Sequence, residues 1–362
     1  MNSLLDAKAH FDAQYHAARH EHDPHSALQL AQSLLTYSQQ AHNPNWCSIS
    51  QRLIAKCQKQ IGERAAAIQT LQAAIRYAKR HQLMQQTMHG YDELGTVLYE
   101  QLAYYPALDA WLKSLEIATL LQAMHGCVRA YIGVGKVHFA FGDHHKALHF
   151  YQTAHSLCQP LDDIELNCEV SLNLAACLYR LGEHDQALFA LSQISQHILN
   201  DLNQPEWEAE VLTYDGLIHL HFERFSVAQE LLSQAYQRFR KTKHATGQGQ
   251  VMQALARCFV QLKQLDLAEE CLLEAARLGA EFHLPTLAAE SHTALAQLYL
   301  DSGQYQQALE HRKQLHHVIA GQSDERGFPL QLSSKTQTRL RRIERELENR
   351  KTKLRLQQFV LQ

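Results

Sequence analysis

Histidine is unusually frequent in this sequence, and its imidazole can ligate a metal ion or transfer a proton. Of the 24 histidines, two groups are crowded along the chain: His16, His20, His22 and His25, and then His144, His145 and His149. A spacing of three or four residues can place two imidazoles on one helix face, where they could share a metal ion. No cysteine or carboxylate pattern completes either group, and both fall in predicted turns. We therefore expect solvated histidines and no metal site.

The stretch Gly133-Val134-Gly135-Lys136 is the part of the chain that comes nearest to an enzyme motif. A phosphate-binding loop needs another glycine upstream and a serine or threonine after the lysine, where this chain has Val137. Gly247 and Gly249 likewise lack a third glycine and a preceding strand. We expect no catalytic activity within residues 1–362 and no cofactor.

The elements that carry these residues are organised by a repeat. Eight alanines recur every 40 residues, with a single interval of 41: Ala27, Ala67, Ala107, Ala147, Ala187, Ala228, Ala268 and Ala308. Self-similarity at such a period is typical of stacked repeats, in which each unit packs only on its neighbours. One continuous core can then extend through a chain of this length.

Within each period, apolar residues at helical spacing predict two amphipathic helices. Twelve residues before the alanine, seven of the eight repeats have glycine or alanine, where two helices would cross closely: Ala55, Gly95, Gly135, Ala175, Gly216, Ala256 and Ala296. Only the first repeat departs from this pattern, with Tyr15. The prolines fall between predicted helices or where helices start, and no alternating β-branched run predicts a strand. The prediction is an all-α protein of about sixteen antiparallel helices and a C-terminal helix.

This pattern resembles the tetratricopeptide repeat over about residues 8–320, although the usual repeat has about 34 residues. Longer repeats of this kind occur in the sensor halves of bacterial signalling regulators and in cell-polarity adaptors. The resemblance implies a right-handed superhelical solenoid of about eight helix-turn-helix repeats, whose first helices line a concave groove. A peptide or protein ligand would bind in that groove.

The 40-residue register maps ten candidate groove residues onto the first helices. They are Arg52, Lys56, Lys59, Asp92, Tyr99, Arg129, Lys136, Phe139, Tyr179 and Arg257. Cations beside aromatic rings suit a peptide carboxylate or acidic side chains. The alternative is that each is an ordinary solvated residue of an amphipathic helix. The trio Arg52, Lys56 and Lys59 shares one helix face and is the sharpest candidate.

The composition changes after the repeats, where residues 321–333 read as a linker and residues 334–362 as a single basic helix. Leu340, Ile343, Leu347 and Leu354 form an apolar stripe near a seven-residue spacing. Such a stripe needs a cover: a second copy of the chain, the end of the solenoid, or a downstream domain. We expect weak homodimerisation through these four residues, as in a coiled coil.

Composition limits the remaining possibilities. A net charge of −3 does not indicate a polyanion-binding protein. The eight cysteines form no C-x-x-C pair, and there is neither a signal peptide nor an 18-residue apolar run, which together favour a reduced, cytoplasmic protein without a membrane partner.

The predicted function is a protein- or peptide-binding regulatory module of signal transduction, forming the N-terminal sensory half of a larger regulator such as a diguanylate cyclase. The alternative is a stand-alone adaptor whose basic tail contacts nucleic acid.

Overall fold

The computed structural model describes residues 2–194, 205–320 and 333–360, and these residues form seventeen α-helices, one short 3-10 helix and no strand. The first ten helices, in chain order, are α1 Asn2–His20, α2 Pro24–Gln40, α3 Pro44–Ile61, α4 Arg64–Arg80, α5 Met84–Glu100, α6 Tyr104–Leu121, α7 Met124–Ala140, α8 His144–Cys158, α9 Ile164–Leu181 and α10 His184–Ser192. The others are α11 Pro205–His221, α12 Phe225–Lys241, α13 Ala245–Gln261, α14 Leu265–Glu281, α15 Pro285–Asp301, α16 Tyr305–Ala320 and α17 Ser334–Val360. The prediction of an all-α solenoid of helix hairpins is confirmed.

The turns repeat twice as often as the alanines do. A residue with positive φ recurs every 20 residues, beginning with His42, Gly62, Gln82 and Leu102. At His42, the amide of the next residue, Asn43, donates to the Ser38 carbonyl, and the His42 amide donates to that of Gln39. This pair of hydrogen bonds is a Schellman motif, which satisfies the last carbonyls of a helix. It recurs at the later turns, so one turn geometry connects helices within a repeat and between repeats.

The marker alanines lie at the contacts between helices, as predicted. All eight are buried. A Cβ on Gly95 would approach the Trp111 indole to 2.8 Å, one on Gly133 would approach the same ring to 2.2 Å, and one on Gly135 would approach Tyr151 to 2.5 Å. The Gly-x-Gly-Lys stretch of α7 is therefore explained by packing, because two aromatic rings of the neighbouring second helices need the space.

The chain forms two compact units. The first unit comprises Met1–Asp163 together with Leu330–Gln362, and the second comprises Ile164–Pro329. The sequence predicted one array over residues 1–320, whereas the structure groups the C-terminal helix with the first four repeats. The predicted linker, residues 321–333, lies almost entirely outside the described residues.

Seven of the eight cysteines are buried, and Cys271 is partly exposed. Burial raises the pKa of Cys168, Cys177 and Cys258 to about 11, so these thiols remain protonated and pack as small apolar groups.

Candidate functional site

The first helices of successive repeats contact one another in the first unit, in the pairs α1/α3, α3/α5 and α5/α7. Their polar side chains therefore form one continuous surface, which we call the first-helix row. It comprises Arg52, Lys56 and Lys59 from α3, His89, Asp92, Glu93 and Glu100 from α5, and Arg129 and Lys136 from α7.

Arg52 donates three hydrogen bonds to side chains of the neighbouring helix α5. Its Nε donates to Glu93 Oε2 at 2.9 Å, its Nη2 to Glu93 Oε1 at 2.5 Å, and its Nη1 to Gln86 Oε1 at 2.6 Å. The side chain is only 18% exposed. A bidentate guanidinium–carboxylate pair is among the strong charge-assisted hydrogen bonds of proteins. Arg52 thus joins α3 to α5, and its charge is already balanced.

Lys59 repeats this arrangement at the other end of α3. Its Nζ donates to Glu100 at 2.5 Å, and both side chains are about one-third exposed. Both pairs span 41 residues, one repeat plus one position. Lys56 lies between them on the helix and is exposed. The predicted cationic trio is therefore mostly an ionic contact between repeats, and sequence reasoning missed Glu93, which balances Arg52.

A positive region remains where α5 meets α7. Arg129 is exposed and forms no ion pair with any residue that the structure describes. Burial and the charges of Arg52 and Arg129 lower the pKa of His89 to about 4, against the opposing effect of Glu93. His89 is therefore neutral at physiological pH, and the cationic charge of Arg129 on the adjacent helix would be stabilised by an incoming carboxylate.

The predicted aromatic groove residues share one register position and one role. Tyr99 packs against Tyr104 at 5.4 Å and Trp111 at 5.9 Å between ring centroids, Phe139 packs against His144 at 5.0 Å, and Tyr179 against His184 at 5.4 Å. In each case the partner includes the first residue of the following second helix. Burial and Tyr104 raise the pKa of Tyr99 to about 12. These rings hold the two helices of a hairpin together, a role that the sequence interpretation did not assign to them.

The equivalent surface of the second unit joins α13 to α15 through a neutral side chain. Gln253 on α13 donates from Nε2 to the Leu287 carbonyl at 3.1 Å and to Ser291 Oγ at 2.9 Å on α15. The predicted groove residue Arg257 lies one turn further along α13 and is exposed. A neutral amide therefore joins two first helices in this unit, as the Arg52–Glu93 ion pair does in the first unit.

The predicted dimerisation stripe is partly covered within the chain. Leu340 and Ile343 are buried, and their helix α17 contacts α6. Arg339 donates from Nη2 to Glu116 Oε2 at 2.6 Å and from Nη1 to Asp109 Oδ1 at 3.3 Å. The side chains of Leu347 and Leu354 lie outside the described part of the structure. The first half of the stripe is covered by α6, an internal helix of the array, which was not among the three covers predicted from the sequence. Dimerisation through all four residues stays a prediction.

Comparison with known families agrees with the repeat pattern. The tetratricopeptide repeat family model matches residues 127–198, and that of the soluble NSF attachment protein, SNAP, matches residues 214–326. The predicted resemblance to the tetratricopeptide repeat is confirmed. Both matched families are non-catalytic repeat modules. No curated protein matches the sequence.

Solved tetratricopeptide-repeat structures share this fold at low sequence identity. A Rap protein complexed with competence and sporulation factor is 12% identical, with a TM-score of 0.58 over 87% of this chain and 98% of that one. Aspartyl phosphate phosphatase F from Bacillus subtilis is 13% identical, with a TM-score of 0.58 over 84% of this chain and 78% of that one. A signal transduction ATPase with a tetratricopeptide repeat sensor, from Pyrococcus horikoshii, is 17% identical, with a TM-score of 0.56 over 80% of this chain and 44% of that one. At these identities the likeness is one of fold.

The described residues contain no group of three or more histidine, cysteine, aspartate or glutamate side chains that could hold a metal ion. None of the described helices has the length and apolar character needed to cross a membrane.

Proposed function

We propose that the protein is a regulatory or scaffold module of intracellular signal transduction that binds a peptide or protein segment along the first-helix row. The tetratricopeptide fold supports this proposal because its first helices present a continuous polar surface on a rigid scaffold. Among the solved structures with this fold, one Rap protein is complexed with competence and sporulation factor, and another protein has a tetratricopeptide repeat sensor.

The observation that carries the proposal is the exposed guanidinium of Arg129 on α7, a helix that packs against α5. Arg52 and Lys59 already have carboxylate partners, and Arg129 has none among the described residues. A glutamate, an aspartate or a terminal carboxylate of a bound peptide would supply it with a charge-assisted hydrogen bond. The predicted ligand is therefore a peptide segment with an acidic residue, bound between α5 and α7.

Selection of random twelve-residue peptides displayed on phage, with the full chain as bait, tests this proposal. We expect enriched acidic peptides whose affinity falls at least tenfold with Arg129→Glu, and falls further at low salt, where the repulsion is least screened. Arg76→Glu on the second helix α4 is the matched control, since Arg76 is exposed and lies away from the row. Equal affinities for the wild type and Arg129→Glu, or equal losses for both variants, would contradict the proposal.

Narrower predictions concern what the module controls. Attachment to an output domain such as a diguanylate cyclase stays a prediction. The alternative, a stand-alone adaptor whose tail contacts nucleic acid, draws less support from the structure, because Arg339 and Arg342 of the tail face Glu116 of α6.

A further inference from the structure

The outer face of α6 differs from that of the other second helices. Asp109, Leu112 and Glu116 are three and four residues apart and so share one face of the helix. Leu112 is 1% exposed. Forty residues earlier and later, the equivalent residues are the exposed Gln72 and Gln152. In the second unit the equivalent leucine, Leu273, is 42% exposed. Only α6, among these helices, has a leucine that is covered at this position.

Helix α17 provides the cover. Arg339 contacts both Asp109 and Glu116, so its helix passes over Leu112, which lies between them. Leu340 and Ile343 are buried, with Ile343 only 1% exposed. Arg342 adds a contact to Glu116 at 3.3 Å, and His149 of α8 lies 3.8 Å from Glu344. The two surfaces are complementary in charge and in shape: acidic residues flank a leucine on α6, and arginines flank two apolar residues on α17.

The described part of this contact combines one mostly buried ion pair with more exposed ones. Arg339 and Glu116 are 20% and 28% exposed, whereas Arg342 and Asp109 remain mostly exposed, and two apolar side chains of α17 are buried. The exposed ion pairs contribute little to stability. The helix stays docked because the covalent chain keeps it at a high effective concentration. A helix of similar chemistry on another molecule could therefore displace it.

We propose that the outer face of α6, built from Asp109, Leu112 and Glu116, is a binding site for a basic amphipathic helix, and that α17 occupies this site as an internal competitor. The partner is a helix with the arrangement seen at 339–343: arginines three residues apart and apolar residues that fall beside them on the same face. This site lies on a second helix and is separate from the first-helix row. Release of α17 would expose the site and free the apolar stripe of α17 at the same time.

A labelled peptide of residues 333–349 tests the proposal on the full chain. We expect it to bind Arg339→Glu, in which the internal helix is weakened, at least tenfold more tightly than the wild type. Arg341→Glu is the matched control: it makes the same charge change on the same helix at an exposed residue, and it should behave as the wild type. Adding Glu116→Lys to Arg339→Glu should abolish peptide binding.

Hydrogen exchange gives a second measurement that does not depend on the peptide. Amides of residues 336–345 should be protected in the wild type and in Arg341→Glu, and should exchange at least tenfold faster in Arg339→Glu, while α6 to α8 keep their protection. The proposal is overturned if the peptide binds none of the chains, binds the wild type and Arg339→Glu equally, or still binds after Glu116→Lys. A dimer that Glu116→Lys dissociates would show the same site filled by α17 of a second copy, and would support the proposal.

Discussion

The two units use one repeat register but join neighbouring repeats by different chemistry. In the first unit, charged pairs connect α3 to α5 through Arg52–Glu93 and Lys59–Glu100. In the second unit, the amide of Gln253 connects α13 to α15. The alanines and glycines between the helices are buried alike in both units. The packing positions thus determine the fold, and the positions that packing leaves free determine what each surface can bind.

Buried imidazoles separate the two units further. His138 in the first unit is buried with Phe150 stacked against its ring, and its Nδ1 is 3.6 Å from Asp143, beyond hydrogen-bond distance. In the second unit, His292 and His311 face each other with 3.1 Å between their Nδ1 atoms. Among the described residues, His138 is thus a fully buried imidazole with no hydrogen-bond partner at either nitrogen, and His292 and His311 are a partly buried pair.

We expect acid to have the largest effect on the free energy of unfolding, because it protonates the buried imidazole of His138. Burial and Lys146 lower the pKa of His138 to about 4, although Asp143 opposes this. Because the unfolded state binds the proton more readily, stability is present above about pH 6.5 and is lost as the pH falls towards 4. A full shift of this size corresponds to roughly 3 kcal/mol. His138→Phe should remove that part of the pH dependence, as measured by urea unfolding from pH 7 to pH 4. The comparison fails if the wild type and the variant lose the same free energy of unfolding over this range.

Overpacking a glycine at a helix contact tests whether the units are stabilised independently. Gly95→Leu and Gly135→Leu should each cost about 1–3 kcal/mol in the first unit, since Trp111 and Tyr151 occupy the space. Gly216→Leu should cost a similar amount in the second unit, where Leu232 lies 2.8 Å from the position of the new Cβ. Hydrogen exchange should increase first in the unit that carries the substitution, because repeats couple mainly to their neighbours. Equal increases in both units would contradict independent stabilisation.

The charged and neutral contacts between repeats can be compared directly. Arg52→Ala leaves the buried Gln86 oxygen and one carboxylate without their partner, so we expect a loss of about 2 kcal/mol. Gln253→Ala should cost about 1 kcal/mol, because the Ser291 hydroxyl keeps its own hydrogen bond to Leu287. Lys59→Ala, at a half-exposed pair, should cost less than about 1 kcal/mol. Chemical unfolding of the three variants gives the order, and a loss for Lys59→Ala as large as for Arg52→Ala would invalidate it.

Much of the fold could be predicted from the sequence, because small residues at a fixed spacing indicate where helices pack closely. The alanines and the glycines Gly95, Gly135 and Gly216 indicated the helix contacts. Pro44 and Pro285 indicated connections between helix pairs, and they are the first residues of α3 and α15. The site could not be predicted in the same way. A lysine or arginine on a polar helix face gives the same sequence pattern in two different situations. Arg129 has no ion-pair partner among the described residues, whereas Arg52 is paired with a residue 41 positions away. The contact of Arg339 with Glu116 spans 223 residues, far outside any local pattern. One signal was available: Leu112 stands where five of the seven other repeats have glutamine or serine.

The turns should give the smallest energies, and they are alike in the two units. Glycine holds the left-handed position at Gly62 and Gly142 of the first unit and at Gly182 and Gly303 of the second, and residues with a Cβ hold it at other turns of both units, such as Gln82 and Lys263. A residue with a Cβ is strained there by about 1–2 kcal/mol. Replacement by glycine removes this strain but gives the unfolded chain greater conformational freedom, which offsets part of the gain in stability. Lys263→Gly should therefore stabilise the protein by less than about 1 kcal/mol. Gly62→Ala should destabilise it by about 1 kcal/mol, and this loss would come from the backbone alone, because a Cβ at Gly62 meets no atom within 4 Å. Thermal unfolding of both variants beside Gln237→Gly, a substitution at an exposed residue inside helix α12, provides the control, since glycine within a helix destabilises it. If Lys263→Gly and Gln237→Gly lower the unfolding midpoint equally, the left-handed turn at Lys263 carries no relievable strain.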